Sequence, residues 1–390
     1  IFIMDLKFNR LYGLQGCRSP FRRSQPFFQA AQPSLFLEEW RYFCYLYHMD
    51  IEIPDFLIRH CQSVAHSDCA NPFQIEVPAP ARSPERVAEL QAEIRRLKEK
   101  HQALILAHNY QAAEIQGVAD YVGDSLGLAR QAAKADARVI LFCGVHFMAE
   151  TAKILNPERT VILPDASAGC SLEECCPAEE LRKFKEKHPE LYVISYINCS
   201  AEVKALSDVI CTSGNAVKVV AASPSDRPIL FTPDENLGAW VMEQTDRKML
   251  LWPGFCYVHA QFTAEAVAEA KKQHPAAKIV AHPECVTEVR HAADEVCSTE
   301  KMIAYCGSQP AEEFIIVTEA NMLHRLRKEF PQKKFYSLPV RGYQPECKHM
   351  MKNTLEKMIN AFNEMKPQIE LPAEILTRAR APIERMLELS

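Results

Sequence analysis

The sequence lacks the features that would place the protein in a membrane, on a nucleic acid or on a secretory route. No apolar run approaches the roughly 18 to 20 residues that a membrane-spanning helix needs. The formal net charge of −5 argues against the basic surface of a nucleic-acid binder. The N-terminus has no apolar core followed by a small-residue cleavage site, so we expect no signal peptide.

Cysteine, by contrast, is abundant, with 15 among the 390 residues. Their number is odd, and the chain is too long for a small fold held together by disulfides. Metal or redox chemistry is therefore the better interpretation. A reducing cytoplasm is the expected location.

One sequence unit occurs three times. Segments beginning at Leu104, Tyr192 and Lys278 each open with a short apolar run, typical of a buried parallel strand, and continue in a helical pattern. A second short strand then ends in Ser or Thr, in GDS, CTS and CST, where another helix starts. Two further strands follow in each unit, and the fourth ends in proline, in TVILPD, KMLLWP and KFYSLP.

The repeat predicts an α/β fold. We expect three units related by a pseudo-threefold axis, each with a four-stranded parallel sheet between helices, around a central cluster site. The units are placed at residues 84–169, 170–255 and 256–346. Residues 347–390 are expected to supply a cluster ligand and then a helical closing segment that packs over the first unit.

The N-terminal part of the chain does not follow the repeat. Residues 1–83 are interpreted as an extension that is disordered or translated from a misplaced start. Residues 84–101 have the pattern of an amphipathic helix, with Ser83 as its N-cap and Pro84 in its first position.

A cysteine follows the fourth strand of each unit: Cys170, Cys256 and Cys347. The first two are 86 residues apart and the last two 91, which matches the length of the repeat. Equivalent loops around one axis would bring the three thiols together. Iron–sulfur clusters take thiolate ligands, usually four, so three would leave one iron open to act as a Lewis acid. Zinc is the alternative metal, although zinc usually recruits closely spaced cysteine pairs.

Most other cysteines are expected to pack as small hydrophobic residues. This group comprises Cys143, Cys199, Cys211, Cys285, Cys297 and Cys306. Cys175 and Cys176 lie near Cys170 in sequence and compete with it as ligands, but they have no counterpart in the other units.

Polar residues at the strand ends predict a pocket beside the cysteines, because ligands of parallel α/β units bind at the carboxyl ends of strands. Three helix N-termini directed at one axis would bind anions without a Gly-rich loop. That arrangement suits a substrate with carboxylates and phosphate. The side chains expected to supply general acids and bases in the pocket are His108, Tyr110, Tyr196, His259, His282 and Glu284.

A series of motifs resembles the quinolinate synthase family, in order and at similar spacing, over about residues 84–375. The motifs are AHNYQ at 107–111, GDS at 123–125, FMAETAKILNP at 147–157, AGCSL at 168–172, YIN at 196–198, CTSGNA at 211–216, PDENLG at 233–238, WPGFCYVH at 252–259, HPEC at 282–285 and CKHMMKNTLE at 347–356. Two positions depart from the family: Cys297 stands where Gly is usual, and Gly214 where Ala or Ser is common.

The resemblance implies an enzyme of NAD biosynthesis. Members of the family condense iminoaspartate with dihydroxyacetone phosphate and release phosphate and two waters. It implies one 4Fe–4S cluster per chain, held by Cys170, Cys256 and Cys347, and functional coupling to an iminoaspartate-producing enzyme.

The resemblance also implies roles for individual residues. Tyr110, Glu284 and His108 would be catalytic. The substrate-binding positions would be His108, Ser125, Tyr196, Asn198, Ser213, His259, His282, Glu284, Ser298 and Thr299.

Two other hypotheses stay open. One is a different 4Fe–4S-dependent enzyme, a hydroxy-acid dehydratase, which would need no phosphate site. The other is a non-catalytic sensor in which three cysteines hold zinc or a cluster. A sensor needs no pocket of Tyr, His and Glu side chains, so the predicted pocket speaks against it.

Overall fold

Three four-stranded parallel sheets organise the part of the chain that the structure, a computed structural model, describes: residues 53–69 and 82–390. The strands of the first sheet are β1 (Ala103–His108), β2 (Tyr121–Gly123), β3 (Val139–Cys143) and β4 (Thr160–Ile162). Those of the second are β5 (Tyr192–Tyr196), β6 (Val209–Cys211), β7 (Ile229–Thr232) and β8 (Leu250–Leu251). Those of the third are β9 (Lys278–Ala281), β10 (Glu295–Val296), β11 (Glu313–Val317) and β12 (Lys334–Ser337).

The three sheets share one strand order. In each, the first strand lies between the second and the third, and the fourth pairs with the third. All strand pairs within these three sheets are parallel, and the strands are largely buried, as apolar strands covered by helices on both faces should be. The predicted α/β class with three repeated parallel-sheet units is confirmed.

Helices cover the sheets. An N-terminal helix, α1, spans Asp55–Cys69. The first unit contains α2 (Pro84–His101), α3 (Ala113–Gln116), α4 (Ser125–Ala133) and α5 (His146–Leu155). The second contains α6 (Ser171–Cys175), α7 (Ala178–Lys187), α8 (Ala201–Leu206), α9 (Ala216–Ala221) and α10 (Glu235–Thr245). The third contains α11 (Ala264–Gln273), α12 (Thr287–His291), α13 (Thr299–Ser308) and α14 (Met322–Glu329), and α15 (Leu355–Glu364) and α16 (Ala373–Glu388) follow.

The predicted helix at residues 84–101 is confirmed, with its cap. Ser83 has extended backbone angles, and its hydroxyl accepts a hydrogen bond from the N–H of Arg86. Pro84 occupies the first turn, where its missing N–H costs nothing. Leu90 and Ile94 form part of the buried face.

The C-terminal segment packs over two units instead of one. Helix α15 lies against α2 of the first unit, as expected. Helix α16 lies mainly against α8 and β6 of the second unit, where its apolar face, including Ile383 and Met386, joins the core. The expectation that the whole segment covers the first unit is therefore wrong for α16.

Part of the N-terminal extension is folded. Helix α1 lies against α6, and Ile53, Leu57 and Cys61 are buried with Trp252 in one apolar cluster. The interpretation of residues 1–83 as an extension that is disordered or translated from a misplaced start stays a prediction outside this helix, and residues 1–52 and 70–81 lie outside the described residues. The boundaries proposed for the units stay a prediction. Within the described ranges, no helix combines the length and the apolar sequence that crossing a membrane requires.

Candidate active site

A cavity of about 720 Å³ is lined by residues from all three units. The register explains why: His108 pairs with Gly123, Tyr196 with Cys211 and Ala281 with Val296, so the first and second strands of each unit end at one edge.

Nearly all of the site residues predicted from the sequence line this cavity. Those that do are His108, Tyr110, Ser125, Cys170, Tyr196, Asn198, Ser213, Cys256, His259, His282, Glu284, Thr299 and Cys347. Ser298 is the exception, since it is buried and does not line the cavity.

The three repeat-equivalent cysteines differ from the others. Cys170, Cys256 and Cys347 are partly exposed to the cavity, whereas the nine other cysteines whose side chains are described are buried, including all six expected to be packing residues. Cys175 and Cys176 also point away from the cavity lining, so the structure gives them no place beside Cys170 as ligands.

Each of these cysteines begins a helical turn. The carbonyl oxygens of Cys170, Cys256 and Cys347 accept hydrogen bonds from the N–H groups four residues later, at 3.1, 2.9 and 3.0 Å. Backbone N–H groups of these turns also point at the three sulfurs: those of Leu172 and Glu173, of His259, and of His349 and Met350. Such groups stabilise a thiolate, so the three turns are suited to metal-bound sulfur.

The protonation of the thiols supports the same conclusion. Burial raises the pKa of Cys170 and Cys256 well above the usual value for a thiol, and that of Cys347 to about 11. The negative charge of a neighbouring group raises each pKa further: Cys347 acts on Cys170, both of these act on Cys256, and Glu319 acts on Cys347. Three thiolates that line one cavity need a cation to balance their charge. The donor set therefore fits an iron–sulfur cluster held by three cysteines.

A chain of hydrogen bonds runs beside Cys256. The Glu284 carboxylate lies 2.8 Å from Nδ1 of His259, and Nε2 of His259 lies 2.8 Å from the Thr318 hydroxyl. With the His259 proton on Nδ1, Nε2 accepts from Thr318. The Thr318 oxygen also lies 2.6 Å from the Tyr110 hydroxyl, and the Tyr196 hydroxyl donates to Glu284 at 2.5 Å.

The charge state of Glu284 follows from its neighbours. Burial alone would raise its pKa, but His259, His282 and hydrogen bonds from His259 and Tyr196 lower the pKa to about 2. The carboxylate is thus an anion at neutral pH. Burial raises the pKa of Tyr110 and Tyr196 well above the usual value for a phenol, so both tyrosines keep their protons.

His108 and His282 occupy equivalent positions and make equivalent contacts. Nδ1 of His108 accepts from the N–H of Tyr110 at 3.1 Å, and Nδ1 of His282 accepts from the N–H of Glu284 at 3.4 Å. Burial lowers the pKa of each histidine to about 3, so both are neutral. An imidazole that accepts through Nδ1 carries its proton on Nε2 and can donate it to a ligand.

The helix starts at the cavity are not equivalent. Ser125 is the first residue of α4 and Thr299 the first of α13, helices of 9 and 10 residues. Helix α9 has only 6 residues and begins three residues after Ser213, so the expected third helix start is a turn. Among the described residues, Asn198 Oδ1 and Ser298 Oγ are buried without a hydrogen-bond partner.

Arg325 supports the Thr299 side of the cavity. Its guanidinium donates to Asn109 Oδ1 at 2.7 Å and pairs with Glu300 at 2.5 Å. The Asn109 amide in turn donates to the Thr299 hydroxyl at 2.9 Å. The Asn109 amide is therefore held in one orientation by partners on both sides.

Thr318 and Glu319 belong to the site but were not predicted from the sequence. Glu319 lines the cavity and accepts from the N–H of Cys347 at 3.2 Å, and burial raises its pKa to about 8. Both residues directly follow β11, a third strand. Ligands bind at the carboxyl ends of parallel strands, and this rule selects both residues when it is applied to third strands as well as to first and second strands.

A mixed donor set offers an alternative for metal binding. Within the described residues, Cys256, His259 and Glu284 place one ligand atom each within 4.8 Å of the others. Sulfur, nitrogen and oxygen donors in this combination suit zinc. Zinc at this position would compete with the hydrogen bond between His259 and Glu284.

Comparison with known proteins identifies the family. Residues 92–388 match the model of the family described as Quinolinate synthetase A protein. The chain belongs to this family.

Relatives named "Quinolinate synthase" cover most of the chain. The protein of a Synechococcus species is 52% identical over 306 residues, which are 78% of this chain and 96% of the relative. That of Cyanophora paradoxa is 51% identical over 300 residues, 76% of this chain and 91% of the relative. That of Prochlorococcus marinus is 50% identical over 303 residues, with coverage of 77% and 91%. The similarity that the motifs indicate thus extends over about three quarters of this chain and nearly all of each relative.

Proposed function

We propose that the chain is a quinolinate synthase of NAD biosynthesis that condenses iminoaspartate with dihydroxyacetone phosphate to form quinolinate, phosphate and two waters. The observation that carries the proposal is the convergence of Cys170, Cys256 and Cys347 on a cavity that also contains an acid–base chain. Family membership agrees with it.

We infer a 4Fe–4S cluster as the cofactor, held by the same three cysteines. When bound, it supplies an open iron that acts as a Lewis acid toward an oxygen or nitrogen atom of the substrate. N–H groups of the three cysteine turns would stabilise the cluster's thiolates.

The protein's own groups would move the protons. Tyr110 and Thr318 share a hydrogen bond, and Thr318 connects to His259. A proton leaving the triose at the Tyr110 end could pass through Thr318 to Nε2 of His259. The anionic Glu284 stabilises the imidazolium that forms, in the same way that a buried carboxylate supports a histidine base in hydrolases.

The remaining residues would orient the substrates. Neutral His108 and His282 offer Nε2–H donors to the carboxylates of iminoaspartate, and Asn198 adds a buried amide. The helix starts at Ser125 and Thr299, with the turn at Ser213, would bind the phosphate. The three sites would keep the two reacting carbon chains in contact.

The proposal has consequences outside the chain. Iminoaspartate must be produced in the same cell by an enzyme that oxidises aspartate, and we propose functional coupling to it. The free thiols of the described cysteines agree with a reducing compartment, and we propose the cytoplasm.

The test is an assay for quinolinate with protein purified without oxygen. Wild type should form quinolinate from dihydroxyacetone phosphate and freshly generated iminoaspartate. Cys256→Ala should lose activity at least 100-fold, whereas Cys143→Ala, which removes a buried thiol of β3 outside the cavity, should retain it. A brown protein that makes no quinolinate but dehydrates a hydroxy acid would favour the dehydratase hypothesis. A colourless, folded zinc protein would favour the sensor.

A further inference from the structure

Two cysteines join the N-terminal helix α1 to α6, the helix that begins directly after Cys170. The Cys61 thiol donates to the carbonyl oxygen of Cys175 at 3.2 Å, and the Cys175 thiol donates to the carbonyl oxygen of Cys61 at 3.9 Å. The contact with the Cys61 side chain is also the main cause of the raised pKa of Cys175. Each sulfur therefore lies against the other residue's backbone.

Helix α1 caps the end of α6. Nε2 of His60 lies 3.0 Å from the carbonyl oxygen of Glu174, and the carbonyl oxygen of Cys175 accepts from both Cys61 and the Trp252 indole. Neither carbonyl has a hydrogen-bond donor within α6, because this helix is only five residues long. Since α6 starts at the residue after Cys170, α1 helps to position the turn that carries this cysteine.

The pair lies outside the proposed reaction. Cys61 precedes residue 92, where the match to the family model begins, and neither thiol lines the cavity. Both side chains are buried among Leu57, Trp252 and other apolar groups. The packing cysteines are buried as well, so what distinguishes Cys61 and Cys175 is their contact with each other.

We propose that Cys61 and Cys175 form a redox-active dithiol, which a small-molecule disulfide such as oxidised glutathione converts into a disulfide that fastens α1 to α6. One cysteine sulfur attacks the oxidant, and a mixed disulfide forms as the first glutathione thiol leaves. The second cysteine sulfur attacks the mixed disulfide, the Cys61–Cys175 bond forms and the second glutathione thiol leaves. Two electrons pass to the oxidant, and the two cysteine protons end on the two released thiols.

The structure sets the conditions for this reaction. A disulfide requires Cα atoms within about 7 Å, and each of the two sulfurs already lies against the backbone of the other residue. Because both sulfurs are buried, the oxidant reaches them only when α1 lifts from the second unit. Oxidation should therefore be slow and should end with α1 locked in place.

The test uses the full chain, purified without oxygen, with the metal cluster bound to Cys170, Cys256 and Cys347. The protein is incubated with oxidised glutathione, its remaining thiols are blocked with N-ethylmaleimide, and it is digested without reductant for mass spectrometry. The expected product is a peptide pair joined through Cys61 and Cys175, lighter by two hydrogens than the reduced pair and separated by dithiothreitol. Cys61→Ser should abolish this product, and Cys143→Ala should retain it.

Two results would overturn the proposal. One is recovery of Cys61 and Cys175 as separately blocked peptides after prolonged oxidation of the wild type, a result that does not depend on any variant folding. The other is a link that appears only in protein unfolded in urea beforehand. A link that fits the native packing should also raise the midpoint of thermal unfolding by several degrees, and a lowered midpoint would contradict the fastening of α1. None of these readouts depends on quinolinate formation, so the proposed function and this proposal fail separately.

Discussion

The hydroxyl oxygens of Tyr110 and Thr318 lie 2.6 Å apart, and this contact joins the first unit to the third. The same Thr318 oxygen lies 2.8 Å from Nε2 of His259, which follows the cysteine of the second unit's fourth strand. The Thr318 hydroxyl, which follows β11, thus connects a side chain that follows β1 with one that follows β8.

Removal of this hydroxyl should stop proton transfer without unfolding the protein. We expect Thr318→Val, which keeps the shape of the side chain, to lower kcat about 100-fold or more, the usual scale of general acid–base catalysis. Thr318→Ser should recover much of the loss. The measurement is kcat and KM for quinolinate formation under anaerobic conditions.

Thr232 provides the matched control. It is a buried threonine in the last position of β7. Its hydroxyl contacts Cys176, whereas that of Thr318 contacts Tyr110 and His259. Thr232→Val should leave kcat within a few-fold of wild type. Equal losses in the two valine variants would contradict a role for Thr318 in proton transfer.

Each of the two buried histidines should lower the stability of the fold as the solution becomes mildly acidic. Burial lowers the pKa of His108 and His282 to about 3, whereas the unfolded chain takes up protons near pH 6.5. The unfolded state therefore binds more protons below pH 6.5, and each histidine removes about 1.4 kcal/mol of stability per pH unit until the folded pKa is reached. Glu284, whose pKa is lowered, adds a loss in the same direction below about pH 4.5.

Urea unfolding between pH 7.5 and 5 measures this dependence. From pH 6.5 to pH 5 the stability of the wild type should fall by about 1.6 kcal/mol relative to that of His282→Asn, which is the contribution of one histidine. Raised carboxyl pKa values such as that of Glu319 act in the opposite direction, but they do so in both proteins and cancel in the difference. A difference in the free energy of unfolding that does not change over this range would contradict the neutral state of His282.

Arg325 should act on substrate affinity through Asn109 and Thr299. Arg325→Met removes the donor that fixes the Asn109 amide and leaves Glu300 without its cation. We expect KM for dihydroxyacetone phosphate to rise about tenfold, which corresponds to about 1.4 kcal/mol, with a smaller change in kcat. The exposed Arg378, which pairs with Glu374, is the control, and Arg378→Met should change neither constant.

Helix α1 should contribute measurably to stability. Leu57 is fully buried, whereas its neighbour Phe56 is half exposed. Leu57→Ala should reduce the free energy of unfolding by about 2 to 4 kcal/mol, the range for a buried leucine, and Phe56→Ala by less than about 0.5 kcal/mol. Similar effects of the two substitutions in urea unfolding would contradict the packing of α1 on the second unit.

Repetition is what made most of the fold predictable. A single short strand such as Leu250–Leu251 is too brief to recognise alone, but its place after a helix and before Pro253 recurs in the other units. The same comparison selected Cys170, Cys256 and Cys347 from 15 cysteines. Local chemistry was sufficient for the start of α2, because Ser83 and Pro84 satisfy its first turn without help from the rest of the fold.

Features that depend on tertiary contacts were not predictable in this way. The position of α16 is decided by which unit offers an apolar surface to Ile383 and Met386, and the helix sequence alone does not contain that information. Helix α1 has no counterpart in the repeat, so no comparison within the chain could identify its partner. Thr318 is ordinary by composition, and only its distance from Tyr110 and His259 gives it a role.

The most direct test of the account is the iron and acid-labile sulfide content of protein purified without oxygen. Wild type and Cys143→Ala should each contain about four irons and four sulfides per chain, as one 4Fe–4S cluster requires. Single alanine substitutions of Cys170, Cys256 and Cys347 should each lose most of both. Zinc in place of iron, or full iron and sulfide content in any of these three variants, would contradict a cluster held by one cysteine from each repeat.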